Sequence, residues 1–261
     1  MAKTASKRRR APRQPQPLPP PLPPEERSVG QLVAETIRFY QRHFFQTIPL
    51  GLSVAALGQL TTSFGRRHRE PYGHPPPKHF DNPTSILGGG IEVTILIGAF
   101  LLTASFIVAI VLVTGERPVG RALALAYALG VLVFLPVPLL AQLVYLPAVA
   151  YLAFFGWVVP VALVERTGFL ESFRRSLRLA RVDYVHALGG LATLVIVFAV
   201  IRIMLVLLLR TGSEVAERSA AFLGDLVISP VLFVGSAILY LDQAARVQAK
   251  RSKLEAPNQE A

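Results

Sequence analysis

The chain of 261 residues has no cysteine. That excludes disulfide staples, thiolate nucleophiles and cysteine-based metal sites. Charge is scarce as well: Asp, Glu, Lys and Arg make up 16% of the residues, against about 25% in a typical soluble domain. Common catalytic patterns are missing, with no HExxH, no GxSxG and no P-loop. The GGG at 88–90 is not followed by Lys-Ser/Thr and reads as a hinge. Carboxylates are few in the apolar runs. Glu92, Asp225 and Asp242 each fall near the end of one, so no acidic pair is expected at a single depth. That weakens the case for a proton-coupled pump.

Apolar sequence fills the space left by these absences. Hydrophobic residues are 52% of the chain and the mean hydropathy is +0.47. A soluble protein this apolar would have more nonpolar surface than one core can hold, whereas a bilayer removes the difficulty. The spacing predicts spans at 44–64, 91–113, 187–209 and 222–241. Residues 122–164 run for 43 positions without a charge, too long for one span and right for two. Pro136, Pro138 and Pro147 place a reversal between them. The predicted class is therefore all-α, a polytopic bundle of six spans with two amphipathic interfacial helices.

The predicted membrane domain covers 28–245. Before it, 1–27 reads as a disordered basic and Pro-rich tail, and after it 246–261 reads as a polar tail. Eight prolines fall between Pro12 and Pro24, a composition that favours polyproline II. A PxxP ligand is one reading and a stiff spacer behind a basic tail the plainer one. The N-terminal basic stretch leads into prolines rather than an apolar core, so it does not read as a signal peptide. Ser28 and Gln31 have the spacing of a capping box. After them, Val29, Leu32, Val33, Ile37, Tyr40 and Phe44 recur at helical spacing opposite Gln31, Glu35, Arg38 and Arg42.

The net charge of +11 raises the question of nucleic acid, but the basic residues flank the apolar runs instead of forming one patch, so no nucleic-acid partner is expected. With six spans, one side collects 20 Lys and Arg and the other 6. The positive-inside rule then predicts a cell-membrane protein with both termini in the cytoplasm.

The most distinctive stretch is 160–181, PVALVERTGFLESFRRSLRLAR. Leu170, Phe173, Leu177 and Ala180 recur at helical spacing, Arg174, Arg178 and Arg181 share another face, and Glu171 has i, i+4 spacing to Arg175. The plainer reading is a basic interfacial helix with Phe173 and Leu177 toward acyl chains. The sharper one is a site for anionic lipid or phosphate at Arg174, Arg175, Arg178 and Arg181, since guanidinium suits bidentate phosphate recognition.

This stretch resembles the membrane domain associated with glycerophosphoryl diester phosphodiesterases, and related six-span bacterial membrane proteins. The positions that carry the resemblance are Pro160, Glu165, Gly168, Ser172, Arg174, Arg175, Ser176, Leu177 and Arg178. The resemblance implies a multi-span bundle, sometimes joined to a soluble phosphodiesterase domain. Outside the spans there is no stretch long enough for a barrel of about 250 residues, so phosphodiesterase activity is not expected.

Two other groups stand out. Arg202 interrupts the fifth apolar run, and an intramembrane charge is a functional candidate by default. Asp225 or Glu92 is the expected ion-pair partner, with snorkelling as the alternative. His68, His74 and His79 share the 65–90 loop. With proline-rich surroundings and no cysteine they read as solvated loop residues, and no metal or cofactor is expected. The expected role is non-enzymatic: a membrane scaffold, or an integrity or assembly factor, whose basic face meets anionic headgroups or a protein partner. The alternative is a small transporter or transporter subunit with Arg202 lining the path.

Overall fold

The structure is a computed structural model, and it describes residues 23, 26–67, 89–116, 118, 120–138, 140, 145–209 and 214–255. Among these residues all regular structure is helical. The helices are α1 (Val29–Arg42), α2 (Phe44–Arg67), α3 (Gly89–Thr114), α4 (Gly120–Phe134) and α5 (Tyr145–Phe155). They continue with α6 (Val158–Val164), α7 (Phe169–Val182), α8 (Tyr184–Leu209), α9 (Glu214–Ile228) and α10 (Pro230–Glu255). Four stretches are long and apolar enough to cross a membrane: Val93–Thr114, Leu146–Val164, Tyr184–Leu205 and Arg218–Ser252. They mark the chain as a membrane protein. Two shorter apolar helical stretches accompany them, Phe44–Leu60 and Gly120–Phe134.

Helix α1 starts where local chemistry says it should. Ser28 Oγ accepts the Gln31 amide, and the Gln31 side chain accepts the Ser28 amide at 2.8 Å. Two otherwise unpaired donors are satisfied at once. The helix buries Leu32 and Thr36 against α8 and α10. Thr36 turns its hydroxyl back onto the Leu32 carbonyl at 2.8 Å, so its burial leaves no unpaired donor. Gly235 of α10 sits beneath this contact. A Cβ there would lie 2.6 Å from a Leu194 methyl and 3.2 Å from Thr36 Cγ2, so only glycine lets three helices converge.

Helix α10 is the centre of the bundle, touching α1, α2, α3, α7 and α8. Its buried residues include Phe233, Val234, Ala237, Ile238, Leu239 and Tyr240. Helix α8 has the opposite character. It is as apolar as its neighbours, yet 17% of its most apolar stretch is buried, against 56% for the stretch containing α10. Its exposed side carries Ile196, Val200, Ile203, Met204 and Leu207.

The last predicted span, 222–241, is not one helix. It is divided between α9 and α10 at Ser229 and Pro230. Proline has no amide to give to the carbonyl four residues earlier, so the carbonyls near Leu226 lose their helical partners. The fold covers them. Gly51 of α2 packs so closely that a Cβ would come within 2.0 Å of the Leu226 carbonyl oxygen. The Tyr40 hydroxyl donates to the Val227 carbonyl at 2.6 Å, and burial pushes that hydroxyl's pKa up from its ordinary value. Gly51 and Ala55 share a face in the sequence, and both are buried.

Packing contacts extend past both predicted bounds of the membrane domain. Arg27, assigned by sequence to the disordered tail, is tied to α10 by an ion pair. At the other end α10 runs through position 245 to Glu255 without a break, and Arg246 belongs to the packed fold. Arg27 reaches a buried carboxylate and Arg246 a partly buried one, contacts that sequence periodicity does not reveal. The rest of the N-terminal proline run, apart from Pro23, lies outside the described residues, as do His68, His74 and His79.

Candidate functional site

The 160–181 stretch folds as a short helix, a tight loop and a second helix. Helix α6 ends at Glu165. Arg166 follows in the left-handed region at φ 54, a conformation that costs a non-glycine residue about 1 kcal/mol. Gly168 is the extended N-cap of α7. Glu165 is held between two elements. Arg175 Nε lies 2.9 Å from one carboxylate oxygen, and the Tyr240 hydroxyl of α10 donates to the other at 3.2 Å. The loop is thus fastened to the central helix.

The buried seam of α7 is only partly made of its helically spaced apolar residues. Ser172, Ser176, Leu179 and Ala180 are buried, while Leu170 is exposed. Phe173 and Leu177 are half-buried, and Phe173 touches Phe155 and Phe169. Small hydroxyl residues let α7 approach α5 closely. Ser176 Oγ donates to the Phe154 carbonyl at 2.6 Å, and Ser172 Oγ to the Gly168 carbonyl at 2.8 Å. One backbone acceptor on the neighbouring helix and one at α7's own N-cap satisfy the seam's hydroxyls, and hydrophobicity counting registers neither.

The four candidate arginines divide accordingly. Arg175 is committed to Glu165, so the expected pair with Glu171 is not formed. Glu171 instead meets Arg178, seven residues on, in an exposed ion pair. Such a pair contributes about 0–1 kcal/mol and is readily exchanged for another anion. Arg174, Arg178 and Arg181 are exposed along one face of α7.

A second polar cluster sits beside the first, and sequence reasoning missed it. Asp242 and Gln243 of α10 are fully buried. Arg27 lies 3.2 Å from Asp242, and Arg246 lies 2.9 Å from Asp183. Arg246 also donates to the Arg27 carbonyl at 2.6 Å. Asp183 Oδ1 accepts the His186 amide at 3.1 Å, capping the start of α8, while Gln243 donates to the Asp183 carbonyl at 3.4 Å. The segment before α1, the α7–α8 junction and α10 are thereby joined. The available signal was an Asp-Gln pair directly after an apolar run, one helical turn before an Arg.

The structure brings together only part of the third group. Arg202 Nε lies 3.2 Å from Asp225 Oδ1; the carboxylate is 3% exposed and the guanidinium 45%. Asp225 is not near the start of a continuous span, as the sequence implies. It lies near the end of α9, just before the Pro230 break. Its carboxylate packs against Gly58 of α2, where an added Cβ would sit 3.0 Å from Oδ2. The side chain of Glu92 lies outside the described residues. A cleft of about 560 Å³ between α2 and α9 is lined by Gln59, Val215, Arg218, Ser219, Phe222 and Leu223, without Arg202. Among the described residues no His, Asp and Glu group has the arrangement of a metal site.

Compared with models of known protein families, with curated proteins and with solved structures, the chain finds no match.

Proposed function

We propose that this protein is a six-span, non-enzymatic scaffold or assembly factor of the cell membrane, whose basic cytoplasmic face holds anionic lipid headgroups or a protein partner. In this reading α2, α3, α4, the α5–α6 pair, α8 and the α9–α10 pair cross the bilayer, and α1 and α7 lie at the cytoplasmic interface. Both termini are cytoplasmic. The resemblance to phosphodiesterase-associated membrane domains fits such a bundle without bringing catalysis to it.

The observation that carries the lipid reading is the division of labour on α7. Glu165 and Ser176 fix the helix to the bundle. Arg174, Arg178 and Arg181 are left on the exposed side. The fixed helix presents these guanidinium groups together on one face, and guanidinium suits bidentate phosphate recognition. Native mass spectrometry of protein released from nanodiscs of mixed phosphatidylglycerol and phosphatidylcholine tests this. The wild type should retain phosphatidylglycerol preferentially, and the Arg174→Ala/Arg178→Ala/Arg181→Ala variant should lose the preference. Equal retention by both rules the lipid role out. Because the native chain has no cysteine, single-cysteine labelling is free of background. Ser252→Cys should react from the cytoplasmic side and Ser213→Cys from the opposite side.

One observation favours the transporter alternative. A helix broken beside a buried carboxylate is a recurring feature of secondary transporters, and α9–α10 has that form at Asp225 and Pro230. Here, however, Gly51 and Tyr40 cover the carbonyls at the break. We retain the scaffold reading for that reason. A transport role would require a water-filled path past Arg202, tested by modification of Met204→Cys with a small charged thiol reagent.

A further inference from the structure

Between α2, α3, α4, α5, α8 and α10 lies a partly open cavity of about 180 Å³. Its wall includes Val54 of α2, Phe106 of α3, Phe134 of α4, Trp157, Val195 of α8 and Ser236 of α10. Trp157 and Ser236 are the polar side chains in an otherwise aliphatic and aromatic lining. Trp157 lies in the tight junction between α5 and α6. There a Cβ on Gly156 would approach the Leu152 carbonyl oxygen to 2.5 Å, so glycine is required. The indole is 2% exposed, yet its Nε1 donor meets no acceptor. Leaving such a donor unpaired costs about 1–3 kcal/mol.

Water is a poor occupant. A buried water needs two to four polar partners, and an apolar cavity of about 150 Å³ stays dry and takes benzene. This cavity is slightly larger, and Trp157, whose Nε1 is unpaired, and Ser236 are the polar residues of its wall. We propose that it is a binding site for a neutral lipid group: an alkyl or isoprenyl segment of about six to eight carbons, scaled from that benzene comparison. The segment bears one hydroxyl or carbonyl oxygen that accepts from Trp157 Nε1. A charged headgroup is excluded, because nothing in the wall would neutralise it. The site is independent of the basic face on α7.

Trp157 is the sole tryptophan of the chain, so its fluorescence reports this cavity alone. Protein in phosphatidylcholine nanodiscs is titrated with 8-bromo-1-octanol and, separately, with 1-bromooctane. Both probes should quench Trp157 saturably. The alcohol should bind roughly fivefold more tightly, the worth of one neutral hydrogen bond, and it alone should shift the emission to the red. Val195→Phe and Ser236→Leu each fill the cavity and should abolish the saturable component. Quenching that rises linearly with probe in the wild type means partition into the bilayer and overturns the site, whether or not either variant folds. Saturable quenching with equal affinity and no red shift overturns the hydrogen bond to Trp157.

Discussion

Two ion pairs in this protein have the same length and opposite surroundings. Arg27 and Asp242 are 3.2 Å apart, as are Arg202 and Asp225, and both carboxylates are buried. The first pair is one link in a chain that runs on through Arg246 to Asp183 and the start of α8. The second pair stands among apolar helices, on the sparsely buried α8, with a broken helix beside it. A buried charge pair is costly to desolvate, and its neighbours decide how much of that cost is recovered. At the end of the bundle that holds α1 and α7, several polar groups share each charge. At the α8–α9 contact, the ion pair seen among the described residues is Arg202 with Asp225.

That contrast predicts unequal responses to breaking the pairs. Arg202→Leu strands Asp225 and should destabilise the protein by about 3–5 kcal/mol, read as a large drop in thermal unfolding temperature in detergent. Adding Asp225→Leu should recover most of that loss, since a buried pair replaced by apolar residues is often neutral. If the double variant is as unstable as the single one, the pair is not the cause. Arg27→Ala should cost less, about 2 kcal/mol, the upper range of a charged hydrogen bond, because Arg246 remains close to the stranded Asp242. Equal losses for Arg27→Ala and Arg202→Leu would erase the distinction between the two sites.

Smaller effects sharpen the same comparison. Ser176→Ala removes one hydrogen bond between α7 and the Phe154 carbonyl and should cost about 1 kcal/mol. Ser176→Leu should cost more, by forcing α7 away from α5. Arg174→Ala touches only the exposed face and should change stability by less than about 0.5 kcal/mol, while still weakening retention of phosphatidylglycerol. A stability loss comparable to that of Ser176→Ala would place Arg174 in the scaffold instead.

Much of the fold was legible because it follows from local rules. The capping box at Ser28 and Gln31 is a short-range hydrogen-bond pattern, and the helix begins there. The uncharged run at 122–164 is too long for one crossing, and the structure divides it among α4, α5 and α6. The candidate site was legible only in outline. The arginines of α7 were visible, but their division was not. Arg175 and Arg178 differ by three positions, and only the placement of Glu165 and Tyr240 makes one structural and leaves the other exposed. Asp242, Arg27 and Arg246 went unread because their partners lie more than 60 residues away.

The sequence by itself determined that this chain is helical and suited to hydrocarbon, since both follow from the length and polarity of segments taken one at a time. It also determined where the positive charge lies between those segments. Tertiary structure alone decided which charges are spent on holding the bundle together, what covers the carbonyls at the Pro230 break, and that Trp157 faces an apolar hollow. Those outcomes depend on contacts between distant residues, and a buried donor or carboxylate takes its meaning from whatever the fold places beside it.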